Sequence, residues 1–277
     1  MTEDKKTLVI VDADGLIYSS SYKSETAAEA IEKCKQSLYY IYSRTKADYV
    51  IGFLTSSSHR YSIATTKEYK GNRKLLEKPK YFKLLFEYLK VDHNFILLQD
   101  TEADDLCIST HEFFKDTYNC IISSPDKDLR QIKATFYNPR TYKMERISQE
   151  QADYNFYYQM LVGDTGDNIV GIPGIGKAKA PIILEQSTNK DYFELVLEAY
   201  VAYYKNPTLA YYHFSENYLL LYLRRNLEFT KTLNPLDQEL INDYLSNLKD
   251  GESGREQSSE ETTEVSAGST SFEEREL

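Results

Sequence analysis

The chain has 277 residues, 41% of them apolar and 27% charged, with a formal net charge of −10. That is an ordinary globular composition with material for one large domain or two modest ones. No apolar run nears the roughly 20 residues that span a bilayer. The polar residues 1–7 lack a signal-peptide core. Three scattered cysteines, Cys34, Cys107 and Cys120, argue against a disulfide framework and for a reducing cytoplasm.

Residues 8–11 form a short apolar run ending at Asp12-Ala13-Asp14-Gly15, which reads as a buried strand and a turn. A helical pattern covers 26–44 and a second buried strand 49–54. The stretch 67–90 is strongly basic, with an apolar stripe at helical spacing from Tyr81 to Leu89. A third strand at 95–98 precedes a helix at 102–115, and a fourth at 120–123 ends at Ser124-Pro125-Asp126. Residues 135–138 and 142–147 read as a hairpin. Beyond about residue 150 the pattern is helical, broken by a glycine cluster at 163–176. Buried strands alternating with helices predict a mainly parallel sheet flanked by helices over 1–150, then a helical subdomain over 151–248.

The charge is unevenly placed. Residues 250–277 hold nine acids and two bases, a net −7 that leaves −3 for the rest. This Ser-, Gly- and Glu-rich stretch cannot repay the entropy of ordering, so 249–277 is read as a disordered acidic tail. A body at −3 can bind nucleic acid if its acids converge on metal ions and its bases cluster elsewhere.

In parallel sheets ligands sit beyond the carboxyl ends of the strands, and the acids fall there. Asp12 follows the first strand. Glu102, Asp104 and Asp105 open the helix after the third, Asp126 and Asp128 follow the fourth, and Asp164 and Asp167 flank Gly163 and Gly166. Taken singly, each group has a structural reading: Asp12 and Asp14 as turn or solvent residues, 101–104 as a capping box, the rest as good turn sequences. Together they point to a divalent cation, because crowded carboxylates raise one another's pKa and oxygen ligands favour magnesium or manganese over zinc. Two such ions about 4 Å apart suit phosphodiester cleavage.

Residues 168–180 order their glycines as Gly171-x-x-Gly174-x-Gly176, followed by Lys177 and Lys179. That is neither a dinucleotide fingerprint nor a phosphate loop. It suits two helices joined by a tight hairpin whose backbone N–H groups approach a phosphate, or a plain helix–helix turn. Within 67–90, Tyr69 is interleaved with Lys70, Arg73 and Lys74, which suits stacking on an unpaired base beside phosphate contacts, although a charge run is also the mark of a solvated face.

The strings Val9-Ile10-Val11-Asp12, Glu68-Tyr69-Lys70-Gly71-Asn72-Arg73, Glu102-Ala103-Asp104-Asp105, 123–128, and Gly163-Asp164-Thr165-Gly166-Asp167-Asn168 running into 171–180 occur together in this order. In them the chain resembles the flap-endonuclease or 5′-nuclease family, including the 5′-nuclease domain of bacterial DNA polymerase I and phage 5′→3′ exonucleases. The resemblance implies a PIN-like nuclease core with a basic arch or clamp near 67–90 and a helix-hairpin-helix-type motif in the helical subdomain. It implies two Mg2+ ions, with Mn2+ able to substitute, on Asp12, Glu102, Asp104, Asp105, Asp126, Asp128, Asp164 and Asp167, with Asp12 and Asp105 catalytic. Lys70 and Arg73 would face the scissile phosphate and Tyr69 would stack on the terminal base. Lys74, Gly171, Gly174, Gly176, Lys177 and Lys179 would contact the nucleic acid, with K+ at the hairpin. The expected partners are DNA with a 5′ end, flap or fork, an RNA primer, and a replication protein at the acidic tail, with no membrane. The family's aspartate at the end of the second strand is replaced here by Thr55, which leaves a catalytically weak structure-specific DNA-binding protein as the alternative.

Overall fold

The structure, a computed structural model, describes residues 5–74, 76–186 and 191–226. By contacts the chain divides into Met1–Thr232 and Leu233–Leu277. The expected acidic tail at 249–277 and the end of the expected helical subdomain lie outside the described residues.

The elements run β1 (Thr7–Asp12), α1 (Ala13–Ser21), α2 (Ala27–Thr45), β2 (Tyr49–Thr55), α3 (Arg60–Ile63), α4 (Phe82–Asp92), β3 (Ile96–Leu98), α5 (Ala103–Phe114), β4 (Asn119–Ser123), β5 (Ala134–Asn138), β6 (Lys143–Ile147), α6 (Gln149–Val162), β7 (Gly163–Asp164), β8 (Ile169–Val170), α7 (Lys179–Leu184), α8 (Tyr192–Tyr204) and α9 (Pro207–Leu221). The main sheet has the order β3-β2-β1-β4-β5-β6, parallel except for β6. Strand order reverses between β1 and β4, so the crevice for a ligand opens beyond Asp12 and Ser123.

Local chemistry explains the helix starts. The Thr26 side chain accepts from the Glu29 N–H, Ser148 and Gln151 form a capping box, and Asn206 precedes Pro207 at the start of α9. The strands β1 and β4 are buried on both faces and therefore read as apolar runs rather than alternations. One core cluster joins Val9, Val11, Ile17 and Leu54 to Leu85 and Leu89 of α4. A second, largely in the helical part, gathers Tyr69, Phe156, Met160, Val196, Tyr200 and Phe214.

In the basic stretch a helix spans Phe82–Asp92, over the expected apolar stripe, and Gly71–Arg73 is a single 3-10 turn. The first hairpin strand, β5, also extends the main sheet as a parallel neighbour of β4. Within the expected glycine cluster, a two-stranded ribbon of β7 with β8 stands between α6 and the glycine turn. Among the described residues no helix is long and apolar enough to cross a membrane, and Cys34, Cys107 and Cys120 are buried free thiols.

Candidate active site and nucleic-acid interface

The strand exits bring most of the acids to one edge. Asp12 ends β1 and caps α1, accepting from the Asp14 N–H at 3.3 Å and from Ser124 Oγ at 2.8 Å. Gly15 lets this turn approach the β4 exit: a Cβ there would lie 2.8 Å from Pro125 Cγ. Burial, then the charges of Asp14 and Asp126, push Asp12 up to about 7 against the opposing Ser124 hydrogen bond. Asp14, read from the sequence as a turn or solvent residue, is half-buried. Its Oδ1 accepts the Thr55 N–H at 3.3 Å, and burial raises its pKa.

Glu102 stands at the start of α5, where no capping box forms. The Ala103 N–H is instead taken by Thr55 Oγ1 at 2.9 Å, from the end of β2. One oxygen of Glu102 accepts from Lys70 Nζ. The other lies 2.7 Å from Arg60 Nη1 and 2.8 Å from Tyr69 Oη. Burial opposes ionisation, but Lys70 and then Arg60 outweigh it and hold Glu102 at about 2. Beside it Asp104 is raised well above the usual range, by burial and then by Glu102.

Two of the expected site residues are buried in contacts within the chain. Asp105, expected as a metal ligand and catalytic acid, is fully buried and faces Arg60, with Oδ2 2.7 Å from Nη1 and Oδ1 3.0 Å from Nη2. Its Oδ1 also accepts the Arg224 N–H at 2.9 Å. Both oxygens are engaged, so the side chain anchors the start of α5 to Arg60. Tyr69, expected to stack on a base, is 2% exposed, and its hydroxyl lies 2.8 Å from both Glu102 and Asp167. Its ring is core, packed edge-on to Tyr61. The spacing in Glu68-Tyr69-Lys70 could not tell a buried ring from an exposed one.

The remaining acids arrive on turns. Asp126 Oδ1 accepts the Asp128 N–H at 2.9 Å, and Asp128 Oδ1 accepts from Gln159 Nε2 at 2.5 Å. Burial, then Asp126 and Asp164, push Asp128 up to about 8. Asp164 Oδ1 takes the Gly166 N–H at 2.7 Å, closing the turn between β7 and β8. The basic segment docks on that turn: the Lys70 N–H donates to the Asp167 carbonyl at 2.8 Å, Asn72 Nδ2 to the Thr165 carbonyl at 2.8 Å, and Arg73 to the Gly166 carbonyl and Asp167 Oδ1 at 2.9 and 2.5 Å. Burial raises the Asp167 pKa despite Lys70 and Arg73. Lys74, farther out, pairs with Glu68 at 2.6 Å.

The glycine segment divides. Gly171 is buried, and a Cβ there would meet the Leu161 carbonyl at 2.3 Å and the Gly163 nitrogen at 2.4 Å, so it is a packing glycine, not the phosphate contact expected. Gly174, at φ +82°, and Gly176 have open space around them, and Lys177 and Lys179 beside them are exposed.

Arg60 was not singled out in the sequence. It is an isolated base in the Ser-rich stretch 56–62, and nothing local reveals that its guanidinium is buried. The site's donors are oxygens only, the set that suits Mg2+ or Mn2+. Asp12, Asp104 and Asp128 are held above their ordinary range as acids short of a counter-charge. As they stand, no three acids among the described residues are grouped to hold one ion. Lys70, Arg73 and Arg60 balance Glu102, Asp167 and Asp105 instead. By donor chemistry the residues fit a divalent cation.

No family model matches the chain. Over 215 residues it is 28% identical to DNA polymerase I of Bacillus subtilis (strain 168), a match covering 67% of this chain and 24% of the polymerase, so the chain spans about a quarter of that relative. Over 206 residues it is 26% identical to a 5′-3′ exonuclease of Buchnera aphidicola subsp. Schizaphis graminum, covering 67% of this chain and 72% of that one. The fold is shared with the bacteriophage T5 D15 flap endonuclease, solved with DNA and metal ions, at a TM-score of 0.58 and 22% identity over 78% of this chain and 89% of that one. A T5 5′-exonuclease with bound zinc gives 0.56 at 22% identity, over 79% and 91%. In sequence the chain is thus similar to a bacterial DNA polymerase I and a 5′-3′ exonuclease, and in fold to phage flap endonuclease and 5′-exonuclease structures.

Proposed function

We propose that this chain is a divalent-metal-dependent 5′→3′ exonuclease and structure-specific flap or branch endonuclease acting on DNA, with RNA primers as further substrates. The observation that carries the reading is the meeting of Asp12, Glu102, Asp104, Asp126, Asp128, Asp164 and Asp167 with Lys70 and Arg73 beyond the carboxyl edge of the sheet. The sequence relatives named as 5′-3′ exonuclease and DNA polymerase I support it.

In this reading the α/β core over 1–150, with the turn that carries Asp164 and Asp167, does the chemistry, and those seven acids would hold two Mg2+ ions. Bound there, the ions would supply activation of a water and charge neutralisation on the departing oxygen. Lys70 and Arg73 bind the non-bridging oxygens of the scissile phosphate, while Arg60 and Tyr69 keep Glu102 in place. Gly174, Gly176, Lys177 and Lys179 grip the duplex backbone, with K+ on the turn carbonyls. The acidic tail serves a replication protein.

A second reading, tight structure-specific binding without turnover, is favoured by neutral Thr55 at the β2 exit and by acids already balanced by Lys70 and Arg73. Cleavage of 5′-labelled and 3′-labelled forked duplexes, with Mg2+, Mn2+ or EDTA, separates the two. Metal-dependent products at the 5′ branch are expected. Salt-sensitive binding with no product in either metal would establish the second reading.

A further inference from the structure

Three strands of the main sheet lead at their carboxyl ends into acids: β1 into Asp12, β3 into Glu102 and Asp104, and β4 into Asp126 and Asp128. The strand β2, between β1 and β3, ends at neutral Thr55. The Thr55 hydroxyl is already committed, accepting the Ala103 N–H at 2.9 Å and so capping α5 from outside that helix. Its own N–H donates to Asp14 Oδ1 at 3.3 Å. The side chain of Asp14, from the first turn of α1, therefore lies over the exit of β2. The Asp14 N–H reaches Asp12 Oδ1 at 3.3 Å, so the two carboxylates share one turn. An acid serving only to start a helix would face water, where its charge is well solvated. Asp14 instead sits half-buried within the electrostatic reach of Asp12, Glu102 and Lys70. Carboxylates brought this close without a cation between them repel.

We infer that Asp14 is a further carboxylate of the divalent-cation site, supplying from α1 the charge that Thr55 does not supply from β2. The inference rests on the metal-dependent reading above. It makes Asp12-Ala13-Asp14 a two-acid ligand turn and gives Thr55 a separate task, fixing the start of α5 and with it Glu102 and Asp104.

The test is calorimetric titration of the full chain with Mn2+ alone, in the absence of DNA, for the wild type, Asp14→Asn, and Asp14→Asn with Thr55→Asp. Circular dichroism and melting would confirm that each variant folds; Asp14→Asn is nearly isosteric and removes a repulsion, so its metal-free melting temperature should hold or rise. Asp14→Asn should weaken Mn2+ binding by about tenfold or more, the loss expected on removing a direct or supporting carboxylate. The added Thr55→Asp should recover part of the affinity by returning a carboxylate to the same place. Unchanged affinity in Asp14→Asn would overturn the inference and leave the metal-dependent reading standing. A loss that Thr55→Asp fails to recover would overturn the placement over β2. A wild type that binds no Mn2+ would overturn the metal-dependent reading and the inference with it.

Discussion

Both carboxylate oxygens of Asp105 face the guanidinium of Arg60, at 2.7 and 3.0 Å, in a pair from which water is excluded. The remaining donors of Arg60 reach Glu102, the Leu220 carbonyl at 2.9 Å and the Tyr222 carbonyl at 3.3 Å. One side chain thus ties the start of α5 to the end of α9. Removing either partner strands a buried charge, so Asp105→Ala or Arg60→Met should each cost about 3–5 kcal/mol in urea unfolding. The double variant should cost less than the sum of the two. Strict additivity would show that the pair is not coupled.

Tyr69→Phe keeps the buried ring and removes the hydroxyl that meets Glu102 and Asp167. Stability should fall by about 1–3 kcal/mol, while affinity for single-stranded DNA stays as in the wild type. A weakened affinity at unchanged stability would show that the hydroxyl acts on the nucleic acid rather than only within the fold.

Lys70→Met leaves Glu102 with Arg60 as its cation, so the fold should persist. If Lys70 binds the scissile phosphate, kcat should fall by about 100-fold or more, with a smaller change in binding to a forked duplex. Single-turnover cleavage and fluorescence anisotropy on the same substrate separate the two effects.

The acids also set a pH dependence. Asp12, raised from 3.8 to about 7, and Asp128, raised to about 8, hold protons more tightly when folded than when unfolded. Their contribution to stability is present below the unfolded value and is lost as pH rises through 7 to 8. Glu102, at about 2, acts in the opposite direction but only in acid, and His59, lowered to about 4, is neutral in both states above its ordinary value of 6.5. The melting temperature of EDTA-treated protein should therefore fall between about pH 6.5 and about pH 8.5, and Mg2+ should reduce the fall. A flat profile in EDTA would mean that these acids are not crowded in the folded chain.

Gly171→Ala places a methyl group against the Leu161 carbonyl and the Gly163 nitrogen, both backbone atoms. Overpacking of about 1–3 kcal/mol is expected, whereas Gly176→Ala, with open space around it, should be nearly silent in thermal melts. Equal effects at the two positions would contradict the division of the glycine turn into a packing end and an open end.

The β1, β2 and β4 runs, the α2 and α5 helices and the alternation that makes a parallel sheet were legible in the sequence, because burial on both faces and helical periodicity are local signals. The acids at the strand exits were legible for the same reason, since an exit is defined by where an apolar run stops. Which of those acids has a cation beside it was decided only by the tertiary structure. Asp104 and Asp105 are neighbours in the chain, yet a helix turns them apart, one toward the acids and the other onto Arg60, which comes from 45 residues away. Tyr69 and Asp14 show the same limit from opposite sides, an expected surface ring that is core and an expected turn residue that faces the site. Partner choice and burial depend on contacts between distant segments, and no spacing within a single segment carries them.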